Sequence, residues 1–249
     1  LPLYSELFAL LKAEGVDWLQ IGEPILVLDL PATWQQAFEP AYHSLRNNGL
    51  NLLLGTYFGA LDDNLHLALN LPVQGLHVDL VSAPQQLPAI LDRIGPYKVL
   101  SAGVIDGRNI WRADLKAARE LVQHAQQQLG DRLWLASSCS LLHVPYDVAL
   151  EAAPQEGVNR WLSFAQQKLQ ELALLRAALG DEQVLRSHAW QEQQARVQER
   201  RTSLLVHKAP VKQRAAQAAA QDWQRTSPFA QRAQAQQQRW QLPLFPTTT

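Results

Sequence analysis

The sequence predicts an α/β protein, part of a TIM-type parallel (β/α) barrel with about five strands, followed by Ala/Gln-rich helices. Three observations predict it. Short runs rich in Leu, Val and Ile alternate with helix-length stretches. The runs recur at roughly 24 to 33 residues, the length of one βα unit. Each run ends in polar residues, as strands do when they feed a shared barrel mouth.

The elements follow in order. Leu3 to Ala13 places apolar residues three and four apart and reads as a helix. Trp18 to Glu23 is the first strand, Thr33 to Arg46 the next helix, and Asn51 to Gly59 the second strand. Gly75 to Val81 is the third strand, Gln85 to Ile94 a helix, and Val99 to Ile105 the fourth strand. Asp114 to Leu129 is a helix and Leu133 to Cys139 the fifth strand; beyond it Val158, Leu162, Ala165, Leu169 and Leu172 fall along one helical face. Most strand runs are nearly continuous in apolar residues, which suits parallel strands covered on both faces and joined by right-handed crossovers. A doubly wound open sheet competes. No G-x-G-x-x-G loop follows any strand, and the polar ends converge instead: Glu23, Thr56 and Tyr57, Asp79, Asp106 to Asn109, and Ser137 to His143.

Composition changes near Asp181. Residues 1–180 form the partial barrel, 181–241 a helical extension rich in Ala, Gln and Arg, and 242–249 the start of an inter-domain linker. Arg214 to Asp222 and Phe229 to Gln241 have high helix propensity with few large apolar residues, so they read as exposed helices lying over something. The first and fifth strands are expected to be open edges, leaving such a piece poorly soluble or dependent on a partner.

With 249 residues, 47% of them apolar, a sizeable core is possible, and the apolar runs fall far short of a membrane span. A single cysteine, Cys139, allows no internal disulfide, and no secretory signal is visible, so a soluble protein of the cytoplasm is expected. The chain begins at Leu1 and contains no Met, which reads as a fragment. Net charge is −1, but Trp190 to Gln241 holds nine Lys/Arg against three acids, a local +6 that leaves −7 elsewhere. No stacking aromatics are interleaved in a nucleic-acid pattern, so a solvated helical face is expected, with neither nucleic acid nor membrane as partner.

Candidate chemistry gathers at the strand ends. His77, Asp79, Cys139 and His143 are metal-type ligands, although a structural zinc needs four and a catalytic one three plus an open position. The plain alternative makes Cys139 a packing residue and the histidines hydrogen-bonded rim residues. Asp106, Arg108 and Asn109, with Gly107, Trp111 and Arg112, form a second group, in which an arginine fork is suited to a carboxylate. Glu23, before Pro24, offers a carboxylate for acid, base or hydrogen-bonding work. Ser137, Ser138 and Ser140 lie near His143 without a G-x-S-x-G elbow, which argues against a serine hydrolase.

Six segments carry a resemblance: Trp18-Leu-Gln-Ile-Gly-Glu-Pro24, Leu53-Leu-Gly-Thr-Tyr-Phe58, Gly75-Leu-His-Val-Asp-Leu-Val81, Gly103-Val-Ile-Asp-Gly-Arg-Asn-Ile-Trp-Arg-Ala-Asp114, Ser137-Ser-Cys-Ser-Leu-Leu-His-Val-Pro145 and Leu242-Pro-Leu-Phe-Pro-Thr-Thr-Thr249. Together they resemble cobalamin-independent methionine synthase, in the later part of its N-terminal half. The resemblance implies two fused barrels. The C-terminal one would hold a catalytic zinc, and the cleft between them would take homocysteine and 5-methyltetrahydropteroyl-polyglutamate. Zinc would bind the homocysteine thiol as thiolate, and the methyl would pass directly to sulfur.

The family's zinc and homocysteine motifs begin just after the closing threonines, and the basic residues that meet its folate tail precede Leu1. The resemblance therefore makes this stretch scaffold and cleft wall, inactive alone and without a cofactor of its own. Its partners would be the N-terminal strands and C-terminal barrel of the same polypeptide. By analogy with the family's duplicated C-terminal barrel, the resemblance implies that Asp79 and Cys139 sit near where that barrel places metal ligands, but Leu53 to Phe58 offers no further His or Cys. One departure stands out: the family usually reads Asp-Glu-Pro where this chain has Gly22-Glu23-Pro24. The rival reading is a non-catalytic, barrel-derived interaction module.

Overall fold

The structure, a computed structural model, describes residues 1–46, 49–151, 157–219 and 223–247. It divides into two compact units, Leu1–Arg201 and Thr202–Thr249.

The first unit holds one sheet of five parallel strands in the order β1-β2-β3-β4-β5. These are β1 (Trp18–Gly22), β2 (Asn51–Gly55), β3 (Gly75–Asp79), β4 (Val99–Ile105) and β5 (Leu133–Ser137). Helices α1 (Pro2–Ala13), α2 (Ala32–Leu45), α3 (Leu65–Asn70), α4 (Leu87–Arg93), α5 (Leu115–Leu129), α6 (Ala165–Gly180) and α7 (His188–Thr202) complete it. In α5 the buried residues Leu115, Ala118, Val122, Ala125 and Leu129 follow the three-and-four spacing of one helical face. The Asp114 carboxylate accepts from the Ala117 N–H at 3.1 Å and caps its start, and Gly130 ends it at φ +54°.

Paired residues in a parallel ladder point to the same face. Leu54, Leu76 and Leu100 lie side by side in register and are fully buried beneath the helices. Each contributes about 2 kcal/mol through apolar burial. The opposite face carries Trp18, Gln20, Gly22, Gly55, Tyr57, His77, Ser101, Gly103 and Trp134, and this face curls inward. Four strand intervals in a flat sheet would separate β1 from β5 by about 19 Å. The Trp18 and Trp134 rings nevertheless meet at 4.7 Å between centroids, so the sheet bends into an arc with its end strands facing each other.

Four strands are shorter than the sequence predicts, because their polar ends leave the ladder to build the mouth loops. Phe58, at φ +75°, ends any extension of β2 toward Gly59. Helix α3 has no counterpart in the sequence reading; its six residues are too few to show a period. The face assigned to the helix after β5 is also corrected. Val158 and Leu162 precede α6, Leu169 is 58% exposed, and the buried face is Lys168, Glu171, Leu175 and Ala178. Helix α7, whose residues up to Arg201 belong to the first unit, buries Trp190 and Gln193.

Among the described residues β1 and β5 have no further strand beside them. A groove of about 580 Å³ runs along β5, lined by Trp134, Leu135, Leu172, Arg176 and Leu179 among others. Helix α1 exposes Leu3, Leu7 and Leu10, one helical stripe, while Phe8 is buried.

The second unit holds α8 (Ala209–Ala216) and α9 (Phe229–Trp240), neither of which buries a residue. The expected stretches Arg214 to Asp222 and Leu242 to Thr249 fall partly outside the described residues. No helix among the described residues is long and apolar enough to cross a membrane.

At the opposite end from the mouth, the Lys98 ammonium donates to the carbonyls of Leu69 and Leu71 at 2.8 and 2.9 Å. Burial pushes its pKa down to about 8 from the ordinary 10.5. Between those values the unfolded chain binds more protons than the folded one, so this group makes stability rise with pH across that window. Wild type should therefore gain stability relative to Lys98→Met between pH 8 and pH 10.5. Urea midpoints at both ends of the window test this, and a gap that stays constant would contradict it.

Candidate functional site

The C-terminal strand ends form the mouth, and most of their polar atoms are tied to one another. The Asp79 carboxylate, 1% exposed, accepts four hydrogen bonds. Donors are the backbone N–H groups of Phe58 (3.1 Å), Val81 (2.9 Å) and Ser82 (2.8 Å), and the Ser82 hydroxyl (2.7 Å). It thus clamps the loop after β2 to the loop after β3.

His77 is 3% exposed, and both ring nitrogens are engaged, Nδ1 with the Ser101 hydroxyl at 2.9 Å and Nε2 with the Ser138 carbonyl at 3.4 Å. Burial lowers its pKa and favours neutral imidazole; an Nε2–H donating to Ser138 leaves Nδ1 to accept from Ser101. The Tyr57 ring lies 5.4 Å from it, over the glycines of β1 and β2. Burial raises the Tyr57 phenol, and its oxygen accepts from the Gln20 amide. At Gly22 a Cβ would sit 3.5 Å from that ring, an ordinary contact.

The loop after β4 is a self-contained turn. Asp106 accepts from the N–H groups of Arg108 (2.8 Å) and Asn109 (3.3 Å) and from the Asn109 amide (2.6 Å). The Asn109 carbonyl oxygen accepts from the Trp111 N–H at 2.9 Å. A buried network underpins this loop. Lys168 donates to the Trp111 carbonyl at 3.2 Å, and Glu171 accepts from the Ala113 N–H at 3.0 Å and from Gln193 at 2.7 Å. Burial lowers the Lys168 ammonium and the Glu171 charge partly restores it. From α7, Arg200 stacks on the Trp111 ring at 4.0 Å and Arg201 pairs with Asp114 at 2.8 Å.

The structure separates the residues the sequence grouped. Glu23 is half-buried and turned toward α2, where it accepts from the Tyr42 hydroxyl at 2.9 Å. Burial raises its pKa, and that hydrogen bond offsets part of the rise. It therefore does not join Asp106, Arg108 and Asn109. Cys139 is buried against Gly107, where an added Cβ would meet its sulfur at 2.9 Å, and burial raises its thiol. His143 is exposed and packs edge-on against Phe58 at 5.8 Å.

A zinc ion does not fit this set. His77 and Asp79 spend their acceptor atoms on the mouth loops, and the Cys139 sulfur is packed against Gly107. No group of three His, Cys, Asp or Glu among the described residues is placed to hold a metal. Sequence reasoning missed Phe58, Lys168, Glu171 and Gln193. Phe58 lay inside a quoted motif, but no sequence pattern announces its left-handed backbone.

Compared with known families, residues 1–130 match the model of the cobalamin-independent synthase N-terminal domain, ending just before β5. Because that match covers more than half of the 249 residues and includes the mouth ends of the first four strands, the chain belongs to the cobalamin-independent synthase N-terminal domain family.

Proposed function

We propose that this chain is part of a cytoplasmic enzyme that transfers the methyl group of 5-methyltetrahydropteroyl-polyglutamate to homocysteine, forming methionine. It serves there as scaffold and one wall of the substrate cleft. Membership in a methyltransferase family supports the reaction class. One observation carries the scaffold role: the charged and polar groups of His77, Asp79 and Asp106 are consumed by the hydrogen bonds that hold the mouth together. A catalytic acid or base needs a free polar atom aimed at substrate, and these three offer none. Zinc, with the homocysteine site, is assigned to the C-terminal barrel of the same polypeptide.

The test follows methionine by mass spectrometry after adding homocysteine, 5-methyltetrahydropteroyl-triglutamate and zinc. The chain alone should form none, and the chain joined to its N-terminal strands and C-terminal barrel should form methionine until a chelator is added. Turnover by the chain alone would overturn the scaffold role, and a silent joined polypeptide would overturn the reaction.

A further inference from the structure

Helices α1 and α9 expose stripes of the same pitch and opposite charge. Along α1 and its C-cap, Leu3, Leu7, Leu10 and Glu14 are spaced four, three and four residues apart, and all are exposed. At about 100° per residue they fall within about 60° of the helix circumference. Phe8 lies on another side and is buried in the core of the first unit. Along α9, Phe229, Ala233, Gln236 and Trp240 repeat the four, three, four spacing, which is that of a seam between paired helices. Phe229 and Trp240 are 76% and 61% exposed, so the guanidinium groups near their rings, Arg232 at 5.9 Å and Arg239 at 5.1 Å, leave most of each ring open.

The charges beside the seam decide its direction. Glu6, between Leu3 and Leu7, flanks the α1 stripe on the same side as Arg232 and Arg239 flank that of α9. An antiparallel pair, with Leu3 opposite Trp240 and Glu14 opposite Phe229, brings Glu6 to Arg239 and Glu14 to Arg232. A parallel pair sets Glu6 against Gln237, and no opposite charges meet. Two α9 helices aligned this way would set Arg232 against Arg239, and Lys12 lies on the far side of α1 from its stripe. Among the described residues neither glutamate is in an ion pair and neither arginine meets a carboxylate. Arg232 donates to the Ser227 carbonyl and keeps further N–H groups for a second partner. The wider charge agrees: residues 202–249 hold six Lys/Arg against one acid, +5, which leaves −6 on residues 1–201.

We propose that α1 of one copy of this chain pairs antiparallel with α9 of a second copy. Leu3, Leu7 and Leu10 pack against Trp240, Ala233 and Phe229, with Glu6 beside Arg239 and Glu14 beside Arg232. The pairing makes no use of methyl transfer, and it holds or fails apart from that function.

The test follows the weight-average mass of the 249-residue chain by sedimentation equilibrium, from about 1 to about 100 µM. A mass rising above that of one chain is expected. Glu6→Arg and Arg239→Glu should each weaken association about fivefold, and the double variant should recover most of the loss. Leu7→Asp should leave a single chain with an unchanged thermal midpoint, because that side chain is exposed. Phe229→Ser, on a helix that buries no residue, should do the same and keeps the test open where Leu7→Asp disturbs folding. A single chain at every concentration, or a double variant as weak as its two losses added together, would overturn the proposal. So would association that survives both Leu7→Asp and Phe229→Ser, which would assign the contact to another surface such as the open edge of β5.

Discussion

Asp79→Ala is expected to cost the first unit about 4 kcal/mol, a large share of the roughly 5–15 kcal/mol that holds a domain folded. Four donors lose a charged acceptor at once: three backbone N–H groups, on Phe58, Val81 and Ser82, and the Ser82 hydroxyl. Donors stranded away from water cost about 1–3 kcal/mol each, and the mouth loops can relax to reach water at only some of them. Asp79→Asn keeps one oxygen and should lose about half as much. Urea unfolding monitored by circular dichroism measures both, and a lower midpoint with an unchanged slope marks a stability loss in an intact fold. An alanine variant within about 1 kcal/mol of wild type would show that the carboxylate is not the clamp described.

Gly103→Ala should be the second large effect, at about 3 kcal/mol, from crowding. A Cβ on Gly103 would lie 2.8 Å from both the Ser138 Cα and the Val78 carbonyl oxygen, and 3.1 Å from the His77 ring. Two of those neighbours are backbone, so relief requires β3 or the loop after β5 to move. Gly22→Ala meets only the Tyr57 ring at 3.5 Å and should be close to neutral. Comparing the two by thermal unfolding isolates crowding from the general effect of removing a glycine. Equal losses at both positions would overturn the argument.

The five strands were legible because parallel strands covered on both faces need apolar residues at nearly every position. Leu52, Leu53 and Leu54 illustrate this, since all three are buried although they alternate in direction. Where burial is achieved by polar side chains, the pattern misleads. Lys168 and Glu171 face inward because the loop after β4 offers them Trp111 and Ala113 as backbone partners, and Leu169 is left outside. Nothing in residues 165–180 taken alone reveals those distant partners.

The mouth was legible as a place and illegible as a set of bonds. Its polar residues lie at the strand ends the sequence indicated, but where the Glu23 and Asp79 carboxylates turn depends on pairings across 19 and 21 residues. Asp79 meets Phe58 across 21 positions and is spent on backbone. Glu23, next to the inward-facing Gly22, points the other way and meets Tyr42 on α2. The arginine at position 108 was singled out as a carboxylate fork; the ring beneath it came only from the fold.

The touching indoles of Trp18 and Trp134 give the molecule an optical gauge. They sit on strands that share no hydrogen bond, so their coupling in the near ultraviolet depends on every intervening strand pair keeping its angle. A solvent or substitution that flattens the arc by a few degrees per strand should therefore dim this signal well before any helix melts.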